Sequence, residues 1–163
     1  MHRNTERVVQ AAQARGLAIQ PVSHPDGTRT AEDAARAIGC EVAQIVKSLV
    51  FDLVTGDEVV PVIALVSGSN RLDEGKLARA AGADRTRRAD ADRVRAVTGF
   101  PIGGVPPFGH PEPVTTFVDP DLLRHDEVWA AGGTPQVVFG LAPADLVEAT
   151  RGTVTDLAET SDP

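Results

Sequence analysis

The sequence predicts a mixed α+β domain in which a largely antiparallel, barrel-like β-sheet is flanked by helices. Three observations support this class. Apolar runs of strand length outnumber helical segments, neighbouring runs lie close enough to pair antiparallel, and the two kinds of segment are interleaved along the chain. The 163 residues are 42% hydrophobic and 24% charged, which fits a single globular domain spanning residues 1–163.

The first part of the chain predicts two helices and three strands. Asn4 or Thr5 is expected to cap the first helix, and Thr30 with Asp33 the second; glycine, which tolerates the left-handed conformation, ends both. A five-residue connection between the last two strands predicts a hairpin. In order, the segments are helix 4–16, edge strand 17–24 (interrupted by a proline), turn 25–30, helix 30–39, strand 44–53 and strand 59–67.

The remainder predicts three helices and three strands. Two helices enclose a short segment at 85–88 that is too brief to assign, and each ends at a glycine. Alternating apolar residues then predict the strands, and a proline near its start marks the last helix. In order, the segments are helix 73–82, helix 89–99, strand 114–119, strand 127–133, strand 136–140 and helix 142–152.

Composition excludes several classes of protein. No run of about 18 apolar residues occurs, so no membrane span and no membrane partner are expected. Cys40 is the only cysteine, which rules out an intramolecular disulfide and makes a reducing cytoplasm the expected location. The four histidines are scattered without metal-ligand spacing, so neither a metal nor another cofactor is expected.

The net charge of −7 opposes non-specific nucleic-acid binding, but the charge is unevenly distributed. Residues 71–95 contain eight basic and five acidic side chains, a local balance of +3 that leaves −10 for the rest of the chain. Both a solvated helix face and a small RNA-facing patch would explain this excess.

An ammonium group interrupts an apolar strand at "IVKSLVF", residues 45–51. By two-residue alternation Lys47 shares a face with Ile45, Leu49 and Phe51. Burying an unpaired lysine costs several kcal/mol or forces its neutralisation. Two interpretations remain open: a solvated lysine that protects a sheet edge from aggregation, or a pocket in which the ammonium meets an anion or a carbonyl.

The segment "GFPIGGVPPFGH", residues 99–110, has four glycines and three prolines and cannot form a helix or a central strand. Without side chains at Gly103 and Gly104, a ligand could approach the backbone N–H groups closely. That arrangement suits a carbonyl, a developing oxyanion or a phosphate, although a tight structural loop is the alternative. No Gly-Lys-Ser/Thr sequence follows, so a nucleotide-triphosphate loop is unsupported.

Together these segments resemble the YbaK/EbsC family of prolyl-tRNA-editing domains, which occur as free-standing proteins and as insertions in some prolyl-tRNA synthetases. The resemblance covers residues 24–150 in family order. It implies a barrel-like mixed fold and hydrolysis of the ester of a mischarged tRNA. The implied partners are the tRNA acceptor end and prolyl-tRNA synthetase. The matching segments are "TAEDAARAIGCEVAQIVKSLVF", "LVSGSNRLDEGKLARAAGA", "TGFPIGGVPPFGH" and "VDPDLLRHDEVWAAGGTPQVVFGLAPADLVEAT".

The resemblance places Lys47 in the active site, in contact with the terminal phosphate or the ester oxygens, and Gly103 and Gly104 as catalytic backbone groups. Further residues are expected to contact substrate, and four of them have a structural alternative. The second glycine pair could form a plain strand-ending turn, the loop histidine could only cap its turn, and the phenylalanine could anchor the loop. The residues expected to contact substrate are Ser48, Phe108, His110, Gly132, Gly133 and His24.

The predicted function is therefore metal-independent deacylation, in trans, of a mischarged tRNA carrying a small amino acid, with tRNA(Pro) as a candidate. Cysteine, alanine, serine and threonine esters all remain open, because "VPPFGH" departs from the serine-proline loop of several characterised editors. The alternatives are a non-catalytic module that binds tRNA or a synthetase, and a hydrolase of another small acyl ester.

Overall fold

The computed structural model describes residues 1–28 and 30–160, which form five α-helices and eight β-strands with two short 3₁₀ turns, at 42–44 and 120–124. The elements in chain order are α1 Arg3–Ala14, β1 Val22–Ser23, α2 Ala31–Ile38, β2 Val46–Thr55, β3 Glu58–Ser67, α3 Glu74–Ala81, β4 Arg85–Arg88, α4 Ala91–Thr98, β5 Thr115–Val118, β6 Val128–Ala131, β7 Val137–Leu141, α5 Pro143–Thr150 and β8 Thr153–Val154.

The strands form two sheets that meet at one corner. One sheet has the order β4-β2-β3-β5-β8 and the other the order β1-β7-β6. Four of the six pairings are antiparallel; β5 lies parallel to both β3 and β8. A bridge between Ile45 and Trp129 joins the start of β2 to β6. The predicted mixed, largely antiparallel α+β class is confirmed, and the strand pairings among the described residues form two open sheets and no closed barrel.

Local capping chemistry sets most helix ends. The Thr30 hydroxyl accepts a hydrogen bond from the Asp33 N–H at 3.0 Å, as predicted, and Gly39 ends α2 in the left-handed conformation. The prediction for α1 was wrong, because His2 is the cap and its Nδ1 accepts from the Asn4 N–H. The side chains of Asn4 and Thr5 instead donate to a distant turn, described below with the site.

Two other predictions, the five-residue hairpin connection and the strand 17–24, were wrong in detail, and a segment left unassigned is now a strand. The hairpin between β2 and β3 has a two-residue turn, because the pairing continues outward to Thr55 and Glu58 and Gly56 adopts a positive φ of 59°. The edge strand at 17–24 shrinks to two residues, and the segment 85–88 is a strand that pairs with β2. The predicted turn 25–30 includes Arg29, which lies outside the described residues.

The core lies on both faces of the β2–β3 hairpin. Val46 and Val50 belong to a large cluster shared with α1, β6 and β7, whereas Phe51 and Leu53 belong to a second cluster under α3. Because the strand is covered on both sides, the start of β2 is one of the few places where its side chains reach an opening. Among the described residues, no helix is long and apolar enough to span a membrane.

Candidate active site

A cavity of about 390 Å³ opens between the start of α2, the beginning of β2, the glycine loop and β6. This volume lies in the usual range for a small-molecule site. Most of its wall is aliphatic, and the polar groups are few. The polar lining residues are Thr28, Thr30, Glu32, Lys47, Ser48 and Arg88, and the small or apolar ones include Ala31, Ala34, Ile45, Val94, Ile102, Val105, Trp129, Ala130, Ala131 and Val138.

Lys47 reaches this cavity half-buried, and its ammonium is held by the protein. The Nζ group donates a hydrogen bond to the backbone carbonyl of Asn70, just after β3. The side-chain amide of Asn70 donates in turn to Asp119 at 2.8 Å and to Asp121 at 2.7 Å. Asp119 is 1% exposed and also accepts from the Ser67 N–H. The lysine is therefore anchored through one carbonyl to a buried carboxylate network.

The charges around Lys47 are mixed. Burial lowers the pKa of its ammonium below the ordinary value of 10.5, and the nearby charges of Arg71 and Arg88 lower the pKa further. The carboxylates of Glu32 and Asp119 oppose that shift. An anionic ligand would raise the pKa again and stabilise the charged form.

Ser48 contributes a buried hydroxyl without a partner. Its Oγ makes no hydrogen bond within the described part of the chain, although the residue lines the cavity. A buried unpaired hydroxyl costs about 1–3 kcal/mol. A substrate atom or a water held by substrate is the natural partner for it.

The two loop glycines occupy different positions. Gly103 lines the cavity with a φ of 88°, which requires glycine, and within residues 1–28 and 30–160 no acceptor is found for its N–H. The Gly104 N–H is already donated to the Pro101 carbonyl at 2.9 Å. Gly104 is also absent from the cavity wall. Of this pair, only Gly103 offers an amide to a ligand.

The second glycine pair lies behind the wall of the cavity. The Gly132 N–H donates to the Val137 carbonyl and the Gly133 N–H to the Gly104 carbonyl, at 2.8 and 3.0 Å. The Thr5 hydroxyl and the Asn4 amide donate to the two glycine carbonyls. These contacts fasten the turn to α1 and to the glycine loop, so neither amide is available to substrate.

Three other predicted site residues do not line the cavity that contains Lys47. Phe108 is 2% exposed and packs in the core against Phe139, with ring centroids 5.8 Å apart. The Nε2 of His110 pairs with the Pro106 carbonyl at 2.8 Å, and burial lowers the pKa of this imidazole. Phe108 and His110 line a second cavity, of about 630 Å³, near the ends of α1 and α5. His24 lines neither of the two cavities.

Sequence reasoning missed four residues of the site. Arg88 was counted only within the basic segment 71–95, and Glu32, Asn70 and Asp119 were not singled out as site residues. Of these four residues, only Asp119 had a recognisable local pattern, "VDP", because an aspartate before a proline at the end of a strand commonly caps the following turn. No group of three His, Cys, Asp or Glu side chains placed to hold a metal ion was found in the described part of the chain, and metal independence stays a prediction.

Comparisons with known proteins identify a family. The sequence model of the aminoacyl-tRNA editing domain matches residues 25–149. A putative Cys-tRNA(Pro)/Cys-tRNA(Cys) deacylase, EbsC of Enterococcus faecalis, is 27% identical over 78% of this chain and 76% of its own length. The protein YwhH of Bacillus subtilis is 34% identical over 73% of each chain. The proline–tRNA ligase of Maridesulfovibrio salexigens is 35% identical over 71% of this chain, which matches only 19% of the ligase.

Solved structures give the same result. A crystal structure of a putative trans-editing enzyme for prolyl-tRNA synthetase superposes with a TM-score of 0.90 at 46% identity, over 98% of this chain and 99% of the other. The hypothetical protein APE2540 superposes with a TM-score of 0.84 at 32% identity, over 94% and 99% of the two chains. With a matching family model and relatives of this similarity, the chain belongs to the aminoacyl-tRNA editing domain family.

Proposed function

We propose that this protein is a trans-editing deacylase that hydrolyses the ester between a small amino acid and the terminal adenosine of a mischarged tRNA, with tRNA(Pro) as the first candidate. One observation carries the proposal: a strand lysine is held by a backbone carbonyl at the wall of a small apolar cavity. The names of EbsC and of the structural neighbour support the choice of a tRNA(Pro) substrate.

Lys47 supplies the positive charge. An ammonium has three N–H donors, and the Asn70 carbonyl takes one of them. Two donors remain for the terminal phosphate or for the ester oxygens of the substrate. Asn70 and Asp119 act as positioning residues, because they fix the direction from which the ammonium approaches.

Gly103 supplies the amide for the reacting carbonyl. When water attacks the ester carbon, the carbonyl oxygen gains negative charge, and a fixed N–H donor stabilises that charge more in the transition state than in the ground state. Collapse of the intermediate breaks the bond to the ribose oxygen. The proton lost by the water passes to that oxygen, and the neighbouring hydroxyl of the substrate is the proposed relay.

Glu32 recognises the amino group. An aminoacyl ester carries an α-ammonium, and Glu32 places an exposed carboxylate at the cavity. In contrast to Asp33, whose N–H donates to the Thr30 hydroxyl and whose carboxylate pairs with Arg36, Glu32 makes no side-chain hydrogen bond or ion pair within the described residues. Glu32→Gln is expected to lower kcat/KM for aminoacyl-tRNA. The variant should then discriminate little between aminoacyl-tRNA and N-acetyl-aminoacyl-tRNA, which lacks the α-ammonium.

The wall of the cavity sets the size limit. Alanines at 31, 34, 130 and 131 leave room for a small side chain, while the surrounding branched residues prevent expansion for a larger one. A site of this kind excludes larger amino acids better than it rejects smaller ones. The unpaired Ser48 hydroxyl would favour a substrate that brings a polar atom, either its own side chain or the attacking water.

The test is deacylation of a panel of aminoacyl-tRNAs by the wild type and by Lys47→Ala. We expect release of one or two small amino acids, with the rate lost in the variant. Background rates across the whole panel, from a protein shown to be folded, would refute the proposal. Binding of tRNA without turnover, unaffected by the substitution, would instead support the non-catalytic module.

A second substrate separates the two roles of Lys47. An aminoacyl-adenosine has the ester but no phosphate. If Lys47 contacts the phosphate, the variant loses activity on charged tRNA much more than on this small ester. If it contacts the ester oxygens, both activities fall together.

A further inference from the structure

We propose that the exposed edge strand β4, with Arg88 and the nearby Arg71, binds the phosphates of the single-stranded 3′ end of the tRNA where that end enters the cavity. This inference rests on the proposed function for the identity of the RNA. It assigns a docking surface to the charge cluster that composition alone left undecided.

The position of β4 makes it accessible. Among the described residues it pairs only with β2, so its other edge presents unpaired backbone groups. All three of its arginines are exposed, and Arg88, at the end of the strand, also lines the cavity. An edge strand that ends at the wall of a cavity offers a continuous path from that cavity to the protein surface.

Two arginines of the region are committed to the fold. Asp52 on β2 is 3% exposed and receives a two-pronged contact from the Arg93 guanidinium, at 2.9 to 3.2 Å. Arg87 lies opposite Asp52 in the sheet and approaches it at 3.5 Å. These contacts fasten β4 and α4 to β2, and they hold the surface rigid.

The other arginines are free for a ligand. Five exposed arginines between residues 71 and 95 have no carboxylate within 4.0 Å in the described part of the chain. In contrast, four of the five acidic side chains there accept hydrogen bonds from the protein itself. The surface therefore combines available guanidinium groups with carboxylates that are occupied. The five arginines are Arg71, Arg79, Arg85, Arg88 and Arg95.

Arg88 and Arg71 are the members closest to the chemistry. Arg88 shares the face of the sheet that carries Lys47, since it lies opposite Phe51 in the register, and its guanidinium stands 6.0 Å from the Phe51 ring. Both arginines are close enough to Lys47 to affect its pKa. Two cations, Lys47 and Arg88, thus line one cavity, and Arg71 adds a third positive charge nearby, in a protein whose overall charge is −7.

This pattern fits a single strand better than a duplex. The cavity accepts the terminal nucleoside, so the groups just outside it meet the last phosphodiesters, which precede any base-paired stem. Guanidinium groups bind phosphate oxygens in two-pronged fashion and also stack on unpaired bases. A negatively charged remainder of the protein would repel a longer stretch of RNA and confine contact to this region.

The experiment compares the double variant Arg71→Gln/Arg88→Gln with Arg151→Gln. Arg151 is an exposed arginine at the end of α5, beside the second cavity, to which no function is assigned. Binding of a fluorescent single-stranded RNA ending in CCA is measured by anisotropy over a range of salt. We expect the double variant to lose about tenfold in affinity and about 1.4 from the slope of log K against log salt, at about 0.7 for each phosphate contact. The control should match the wild type.

Deacylation gives a second readout. The loss of kcat/KM on charged tRNA should exceed the loss on aminoacyl-adenosine by about tenfold, the factor expected for RNA binding. Equal RNA affinity in the double variant and the wild type would overturn the docking proposal, as would equal losses on both substrates. A wild type that hydrolyses neither substrate refutes the proposed function alone, because the RNA-binding comparison still decides the docking surface. Thermal unfolding confirms that each variant is folded.

Discussion

The substitution Gly104→Ala tests how the glycine loop is held. Gly104 is not among the glycines with positive φ, so its need for glycine is a matter of space. A Cβ at this position would lie 2.8 Å from Thr134 Cα and 2.9 Å from the carbonyl carbon of Gly133. All of these neighbours are backbone atoms, which cannot rotate away as a side chain would.

The cost follows from that geometry. To reach ordinary contact the methyl must move from 2.8 Å to at least 3.4 Å from Thr134, so the two loops must separate by several tenths of an ångström. Overpacking of this kind costs about 1–3 kcal/mol. The same movement stretches the hydrogen bond from the Gly133 N–H to the Gly104 carbonyl, worth about 1 kcal/mol. We expect the free energy of unfolding to fall by about 2–4 kcal/mol.

Activity should fall as well. Gly103 is the neighbour of Gly104 and carries the amide proposed to stabilise the oxyanion, so a loop shift displaces that donor. A misplacement of about 1 Å can cost about 100-fold in rate, and a shift of a few tenths should cost about tenfold.

Urea unfolding and deacylation kinetics are measured side by side with Gly16→Ala as control. Gly16 lies just after α1, with a φ of 79°, and a Cβ at this position would have no heavy atom within 4 Å. Its substitution should cost only about 1–2 kcal/mol of backbone strain and leave activity unchanged. A Gly104→Ala protein with wild-type stability and rate would show that the two loops are not packed backbone to backbone.

The remaining predictions concern buried charges. Lys47→Met should abolish deacylation without lowering the melting temperature, since burial already disfavours the ammonium; a variant that fails to fold would contradict this. In the wild type, kcat/KM should fall on the alkaline side through a pKa below 10.5, as the lysine loses its proton. Because the pKa of His110 is lowered in the folded protein, the unfolded chain binds a proton at higher pH than the folded protein does, and stability should fall as the pH drops below about 6.5. Urea titrations at several pH values should show that His110→Gln removes this part of the acid sensitivity. Arg93→Met leaves the Asp52 carboxylate buried and should lower the free energy of unfolding by about 3 kcal/mol. Asp52→Asn should lower it by only about 1–2 kcal/mol, because the Arg93 side chain is 39% exposed and stays hydrated. Equal losses for the two variants would contradict this difference in burial.

Local chemistry allowed much of the fold to be predicted from sequence. The caps at Thr30 and Gly39 depend on residues only a few positions apart, and the alternation around Lys47 identifies its strand. The errors concern contacts between distant segments. Nothing near Asn4 or Thr5 in sequence indicates that a turn more than 120 residues away would recruit both side chains.

The site shows the same division. Local patterns marked Lys47 and Gly103 as candidates, the family resemblance added Ser48, and the structure places all three around one cavity. Sequence alone could not show which of the two loop amides is available. Gly103 and Gly104 are both glycine, and they differ only in whether the fold provides an acceptor for the N–H group. Asp119 reaches Asn70, and through it Lys47, because β5 lies parallel to β3, a pairing that short-range patterns do not reveal.

The ammonium in an apolar strand can now be explained in physical terms. Lys47 pairs with Val66 on β3, whereas β4 pairs only with Phe51–Val54 further along β2. Its half-buried side chain is held by the Asn70 carbonyl at the wall of the cavity, which favours the pocket interpretation over a solvated edge lysine. Its surroundings satisfy one donor through a carbonyl, and the carboxylates of Glu32 and Asp119 support its charge while two arginines oppose it. Such a group is left incompletely paired by the protein alone, and an anion entering the cavity would relieve the repulsion among the three cations. Under the proposed function, part of the cost of burying Lys47 would be recovered when substrate binds, which is the expected property of a group that contributes binding energy at an active site.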